Sequence, residues 1–86
     1  MAPYQLEVKQ KAAKELARVR PDIGRRLLQS IESLASNPRP RQSHKLSESE
    51  NSYRLRVGDY RVLYQIDDEA KLVSIFKVGH RREVYR

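Results

Sequence analysis

Cysteine and tryptophan are absent from this 86-residue sequence, which holds one methionine, one phenylalanine and three glycines. Without cysteine there is no disulfide and no thiolate metal site, and a reducing cytosol is compatible with the chain. No apolar run is long enough to cross a bilayer, and the first residues lack the apolar stretch of a secretory signal. These absences suggest a soluble, cytoplasmic protein with no membrane partner. The two histidines, His44 and His80, lie far apart and give no metal-ligand spacing. Neither a metal nor another cofactor is expected.

Positive charge is abundant. Lys and Arg number 18 against 11 Asp and Glu, a formal net charge of +7. Residues 1–43 hold nine basic and four acidic side chains, residues 44–86 nine and seven, so the first half is the more basic. A polyanionic or acidic partner suits such a chain. A solvated basic surface is the plainer alternative, and composition does not separate the two.

The hydrophobic pattern divides the chain into short elements of one small domain, residues 1–86. Tyr4–Val8 alternates as a first strand. A helix is expected from about Lys9 to Val19, with Ala12, Ala13, Leu16 and Ala17 on one side. Pro21 suits the first turn of the next helix, and Asp22 its positive end. That helix is predicted over Asp22–Ser36, with Ile23, Leu27, Ile31, Leu34 and Ala35 inward and Arg25 and Arg26 outward. Asn37-Pro38 stops it, and the polar residues 37–51 are predicted to be a loop.

Three strands are predicted next. Ser52–Val57 and Tyr60–Asp67 flank the two-residue turn signal Gly58-Asp59, and Leu72–Val78 follows the turn Asp67–Ala70. The predicted class is α+β: an N-terminal strand, a helical hairpin and a three-stranded antiparallel meander. Its two helices pack on one face of a four-stranded antiparallel sheet. Leu55, Val57, Val62, Ile66, Leu72, Ile75 and Phe76 are core candidates, though alternation in the last strand is ambiguous.

Arginines alternate with apolar residues in Tyr53-Arg-Leu-Arg-Val-Gly-Asp-Tyr-Arg61, and the last residues are Val78-Gly-His-Arg-Arg-Glu-Val-Tyr-Arg86. Alternation sends the arginines to one sheet face and the apolar residues to the other. These two segments, with strand order and length, resemble the RelE/ParE superfamily of bacterial toxins from toxin–antitoxin pairs. The resemblance covers nearly the whole chain. RelE-like members are metal-independent endoribonucleases that cut mRNA in the ribosomal A site. ParE-like members share the fold, lack the catalytic set and poison DNA gyrase.

The resemblance implies several partners. They are a cognate antitoxin, the ribosome with its mRNA and rRNA, and operator DNA through the antitoxin complex. It also implies a catalytic set that falls on Arg54 and Arg56, Arg61, Arg81 and Tyr85. The second-strand positions are often lysine in relatives and are arginine here.

That departure bears on mechanism. RNA cleavage of this kind needs a base for the 2′-OH proton, cations for the phosphorane and an acid for the leaving 5′-oxygen. Guanidinium groups at Arg54, Arg56, Arg61 and Arg81 suit the second task. Arginine holds its proton too firmly to act as base. The expectation is that Tyr85 is the base, and His80 or Arg81 the acid. Lys77, Arg82, Arg25 and Arg26 are secondary RNA contacts.

Plainer readings stand beside these. Arg54 and Arg56 on an exposed strand face are ordinarily solvated, and Arg61 could pair with Asp59 or Glu83. His80 could be a structural donor and Tyr85 a packing anchor. His44 is expected to be an inert loop residue. Tyr53, Tyr60 and Tyr64 are expected to pack in the sheet. Other activities with this fold are a ParE-like gyrase inhibitor and an inactive member acting with its antitoxin in DNA binding.

Overall fold

The computed structural model describes residues 3–46 and 51–84, the last two by backbone alone. The elements run β1 (Gln5–Val8), α1 (Gln10–Arg18), α2 (Pro21–Ser33), β2 (Ser43–Lys45), β3 (Ser52–Val57), β4 (Tyr60–Asp67), β5 (Leu72–His80) and α3 (Arg81–Val84). The sheet order is β1-β5-β4-β3-β2. β1 lies parallel to β5, and the other neighbours are antiparallel.

The α+β class and the helical hairpin are as expected, and two details of the sheet differ. It has five strands, not four, because β2 forms inside the segment expected to be loop. It is mixed, because α1 and α2 carry the chain from β1 to β2 at the opposite edge, and the antiparallel run from β2 to β5 then brings β5 back beside β1 in the parallel sense. The helices end a little earlier than the patterns suggested, at Arg18 and Ser33.

Local chemistry accounts for the joints. Pro21 takes the first position of α2, where its missing N–H is no loss, and Asp22 sits in the first turn. The Lys9 N–H donates to the Ile75 carbonyl at 2.8 Å, tying the start of α1 to β5. At the β3–β4 hairpin Gly58 has φ +60°, and Val57 pairs with Tyr60. A positive φ at the first central position is the demand that puts glycine there.

Strand parity builds the core on one face. Leu55, Val62, Tyr64, Ile66, Val73, Ile75 and Val78 meet Ala12 of α1 and Leu27, Ile31 and Leu34 of the second helical segment. Burying a large apolar side chain fully contributes about 1.5–3 kcal/mol.

The ambiguity in the last strand has a physical cause. Leu63 pairs with Lys77 but Tyr64 pairs with Ile75, so Phe76 is an extra residue in β5. This bulge shifts parity and lets Val73, Ile75 and Val78 all reach the core. Phe76 and Leu72 are only half-buried.

β1 covers β5 only from Leu72 to Ile75, which leaves the later edge of β5 unpaired by strand. Glu15 of α1 covers it. Its carboxylate accepts from the Val78 N–H at 2.8 Å and lies 3.5 Å from the Lys77 ammonium. A helix carboxylate thus satisfies a strand edge that would otherwise invite pairing.

Candidate functional site

The face of the sheet opposite the helices is where the arginines gather. On β3, Leu55 turns to the core, so Arg54 and Arg56 turn away from it. On β4, Val62 and Tyr64 turn inward and Arg61 turns out with its neighbours' parity. Pairing sets Arg56 directly opposite Arg61, and Arg61 opposite Gly79 of β5. The next row is Arg54, Leu63 and Lys77.

Arg61 is the most enclosed of these cations, only 6% exposed, and its Nη1 donates to the Tyr60 carbonyl at 3.2 Å. Glu83's side chain lies outside the description. Arg54 is half-buried and Arg56 exposed. Like charges directly opposite on neighbouring strands destabilise a sheet, by about 0.2–1 kcal/mol relative to neutral pairs. An anion between Arg56 and Arg61 would turn that repulsion into a bidentate grip.

Arg81 opens α3, and its N–H donates to the Asp59 carbonyl at 2.8 Å. This anchors α3 beside the β3–β4 turn, at the same end of the sheet as Arg56 and Arg61. Both Arg81 and Arg82 are exposed. Tyr85, expected as the base, lies outside the described residues.

The other expected residues do not join the row. His80 pairs with Tyr60, and its ring meets the Tyr60 ring edge-on at 5.5 Å. Tyr60 packs against the core, so His80 sits on the helix side of the sheet, away from Arg56 and Arg61. It lines an open hollow there with Glu15, Arg18 and Val19. Its Nδ1 accepts from the Arg82 N–H at 3.3 Å, so the ring bonds the backbone as an acceptor and not as the donor considered from sequence.

Arg25 and Arg26 are exposed on α2, with Arg26 beside Gly58 at the edge of that same helix side. Lys77 keeps to the row by register, but its ammonium is drawn to Glu15 at the sheet edge.

Two features escaped the sequence. His44 is no loop residue. It lies in β2 directly opposite Arg54, and therefore on the arginine face. The second is a network at the far end of the sheet. Arg39 forms two hydrogen bonds to Asp68, at 2.8 and 3.3 Å, and one to the Tyr53 hydroxyl at 3.0 Å. The Tyr4 hydroxyl donates to the same Asp68 at 2.5 Å. Tyr64, stacked on Tyr53 with ring centres 5.8 Å apart, donates to the Pro38 carbonyl at 2.8 Å.

Hydrogen bonds from Arg39, then from Tyr4, hold the Asp68 carboxyl below the usual carboxylate range. Burial pushes the Tyr64 phenol up. Among the described residues no group of three or more His, Cys, Asp or Glu side chains is arranged to hold a metal ion.

Comparison with known proteins shows the family. A family model described as the ParE toxin of type II toxin–antitoxin systems, parDE, matches residues 6–85. Toxin RelE of Mycobacterium tuberculosis is 31% identical over 85 residues, covering 98% of this chain and 88% of the relative. The RelBE2 toxin–antitoxin complex of the same organism contains a chain that matches with a TM-score of 0.80 at 32% identity, covering 94% of each chain. The archaeal RelE–RelB complex of Pyrococcus horikoshii gives 0.82 at 30% identity, covering 92% of this chain and 96% of the other.

Proposed function

Since the chain belongs to the ParE toxin family, within the RelE/ParE superfamily, and is the toxin of a toxin–antitoxin pair, we propose that it cleaves mRNA in the ribosomal A site. The observation that carries this reading is the Arg56–Arg61 cross-strand pair, with Arg54 in the next row and Arg81 anchored nearby. A sheet that sets two arginines opposite each other in register, one of them enclosed, gathers positive charge suited to an anion.

The chemistry follows from that grip. The scissile phosphate sits between Arg56 and Arg61. The 2′-oxygen attacks phosphorus and its proton passes to the base, which the resemblance assigns to Tyr85. The bond to the 5′-oxygen breaks, and that oxygen takes a proton, leaving a 2′,3′-cyclic phosphate and a 5′-hydroxyl. The arginines stabilise the extra negative charge of the phosphorane, a contribution of the kind that typically supplies about 10²–10³ in rate per donor. With His80 on the other side of the sheet, Arg81 is the nearer of the two acids considered. A ribosome that holds mRNA with its 2′-oxygen in line offsets the lack of a strong acid–base pair. Action on ribosomes puts the protein in the cytoplasm.

The partner that restrains it is an antitoxin. The relatives of solved structure include complexes with RelB-type antitoxins. A basic chain of net charge +7 suits an acidic or amphipathic antitoxin segment. The match to the ParE family description favours a second reading, inhibition of DNA gyrase without cleavage.

Primer extension separates the two. Purified antitoxin-free protein is added to a reporter mRNA with and without ribosomes. Codon-phased cuts only with ribosomes are expected. Absence of cuts, together with inhibition in a supercoiling assay, would favour gyrase.

A further inference from the structure

β2 contributes three residues, Ser43-His44-Lys45, to the outer edge of the sheet. Ser43 pairs with Leu55 and Lys45 with Tyr53, whose side chains turn toward the core side. His44 pairs with Arg54 and so stands on the arginine face, exposed. Directly across from it is Arg54; diagonally across are Ser52 and Arg56. Neither β2 nor β3 carries a carboxylate. Neighbouring strands lie about 4.8 Å apart, and alternate residues of one strand about 6.8 Å. His44, Arg54 and Arg56 therefore form one compact group running from the Arg56–Arg61 grip to the open sheet edge.

We propose that His44 is a substrate contact of this face, its imidazole lying against the phosphate next to the one held by Arg56 and Arg61. The inference rests on the reading that this face takes RNA. A strand gripped at Arg56 and Arg61 and leaving by the β2 edge passes Arg54 and then His44. Histidine is the side chain that ordinarily gains charge between pH 8 and 5, so this contact strengthens on acidification while the arginine contacts do not change.

The test is direct binding of a labelled, short single-stranded RNA whose 2′-hydroxyls are methylated to block cleavage. Antitoxin-free protein is titrated at fixed ionic strength at pH 7.5 and pH 5.5. One added phosphate contact is expected to tighten binding roughly three- to tenfold at the lower pH, and to steepen the salt dependence by about 0.7 in log–log slope.

His44→Gln, on an exposed edge position, is expected to abolish the tightening, so that its affinities at the two pH values agree within about twofold. His80→Gln, on the opposite face, is expected to keep it. The inference is overturned if wild type binds equally at both pH values, or if His44→Gln tightens as wild type does. Binding of wild type no stronger than that of Arg61→Ala at either pH would instead overturn the RNA reading of the whole face.

Discussion

Arg39 and Arg61 are the same residue in opposite circumstances. Arg39 lies at the turn end of the sheet, fairly open to solvent, yet its guanidinium is engaged by Asp68 and Tyr53 and lies 5.3 Å from the Tyr53 ring centre. Those hydrogen bonds hold its pKa above the ordinary arginine value. Arg61 lies at the hairpin end, enclosed, and faces another arginine across the strand pair. One end of the sheet uses an arginine to close structure; the other sets two arginines opposite each other in register.

The sharpest way to test that contrast is to remove each arginine in turn. Arg61→Ala is expected to reduce ribosome-dependent cleavage by about 10²–10³-fold, the scale of one lost transition-state donor, with the protein still folded by circular dichroism. Arg39→Ala should lower the thermal midpoint by a few degrees at most and leave cleavage within twofold.

A charge reversal probes the same face from the other side. Arg56→Glu converts a like-charged cross-strand pair into an opposite-charged one. Stability by urea denaturation should rise, by about 0.2–1 kcal/mol, while cleavage falls steeply. A fall in both would mean that Arg56 has a structural partner that outweighs the repulsion.

At the structural end, Tyr64→Phe removes the hydroxyl that donates to the Pro38 carbonyl inside the packed Tyr53–Tyr64 stack. The expected loss is about 0.5–1.5 kcal/mol of unfolding free energy, measured in urea, with cleavage unaffected.

The smallest effect is a pH dependence. Asp68 has a folded pKa depressed below its unfolded value, chiefly by the Arg39 hydrogen bonds. Its contribution is therefore present above the unfolded value, 3.8, and is lost as pH falls through the lower folded value. Urea midpoints for wild type should drop more than those for Asp68→Asn between pH 5 and pH 2.

What was legible in the sequence follows the strength of local signals. Alternation and Gly58-Asp59 were enough for the meander, because buried parity fixes register residue by residue. Pro21 was enough for the joint between helices. β2 was invisible because a three-residue edge strand of polar side chains gets its register from its partner rather than from burial. His80 was misplaced for a related reason. It is the immediate neighbour of Arg81 in sequence, but strand parity assigns it to Tyr60's side of the sheet. The Arg39–Asp68 clamp joins residues 29 apart and has no local pattern at all. The Arg56–Arg61 pair, with Arg54 in the next row, was legible, since alternation and a two-residue turn determine it.

The most direct test of the account is ribosome-programmed cleavage by wild type, Arg39→Ala and Arg61→Ala side by side. Codon-phased cuts are expected from the first two, and about a hundredfold or greater loss in the third. Folded Arg61→Ala that cuts as wild type does would contradict it.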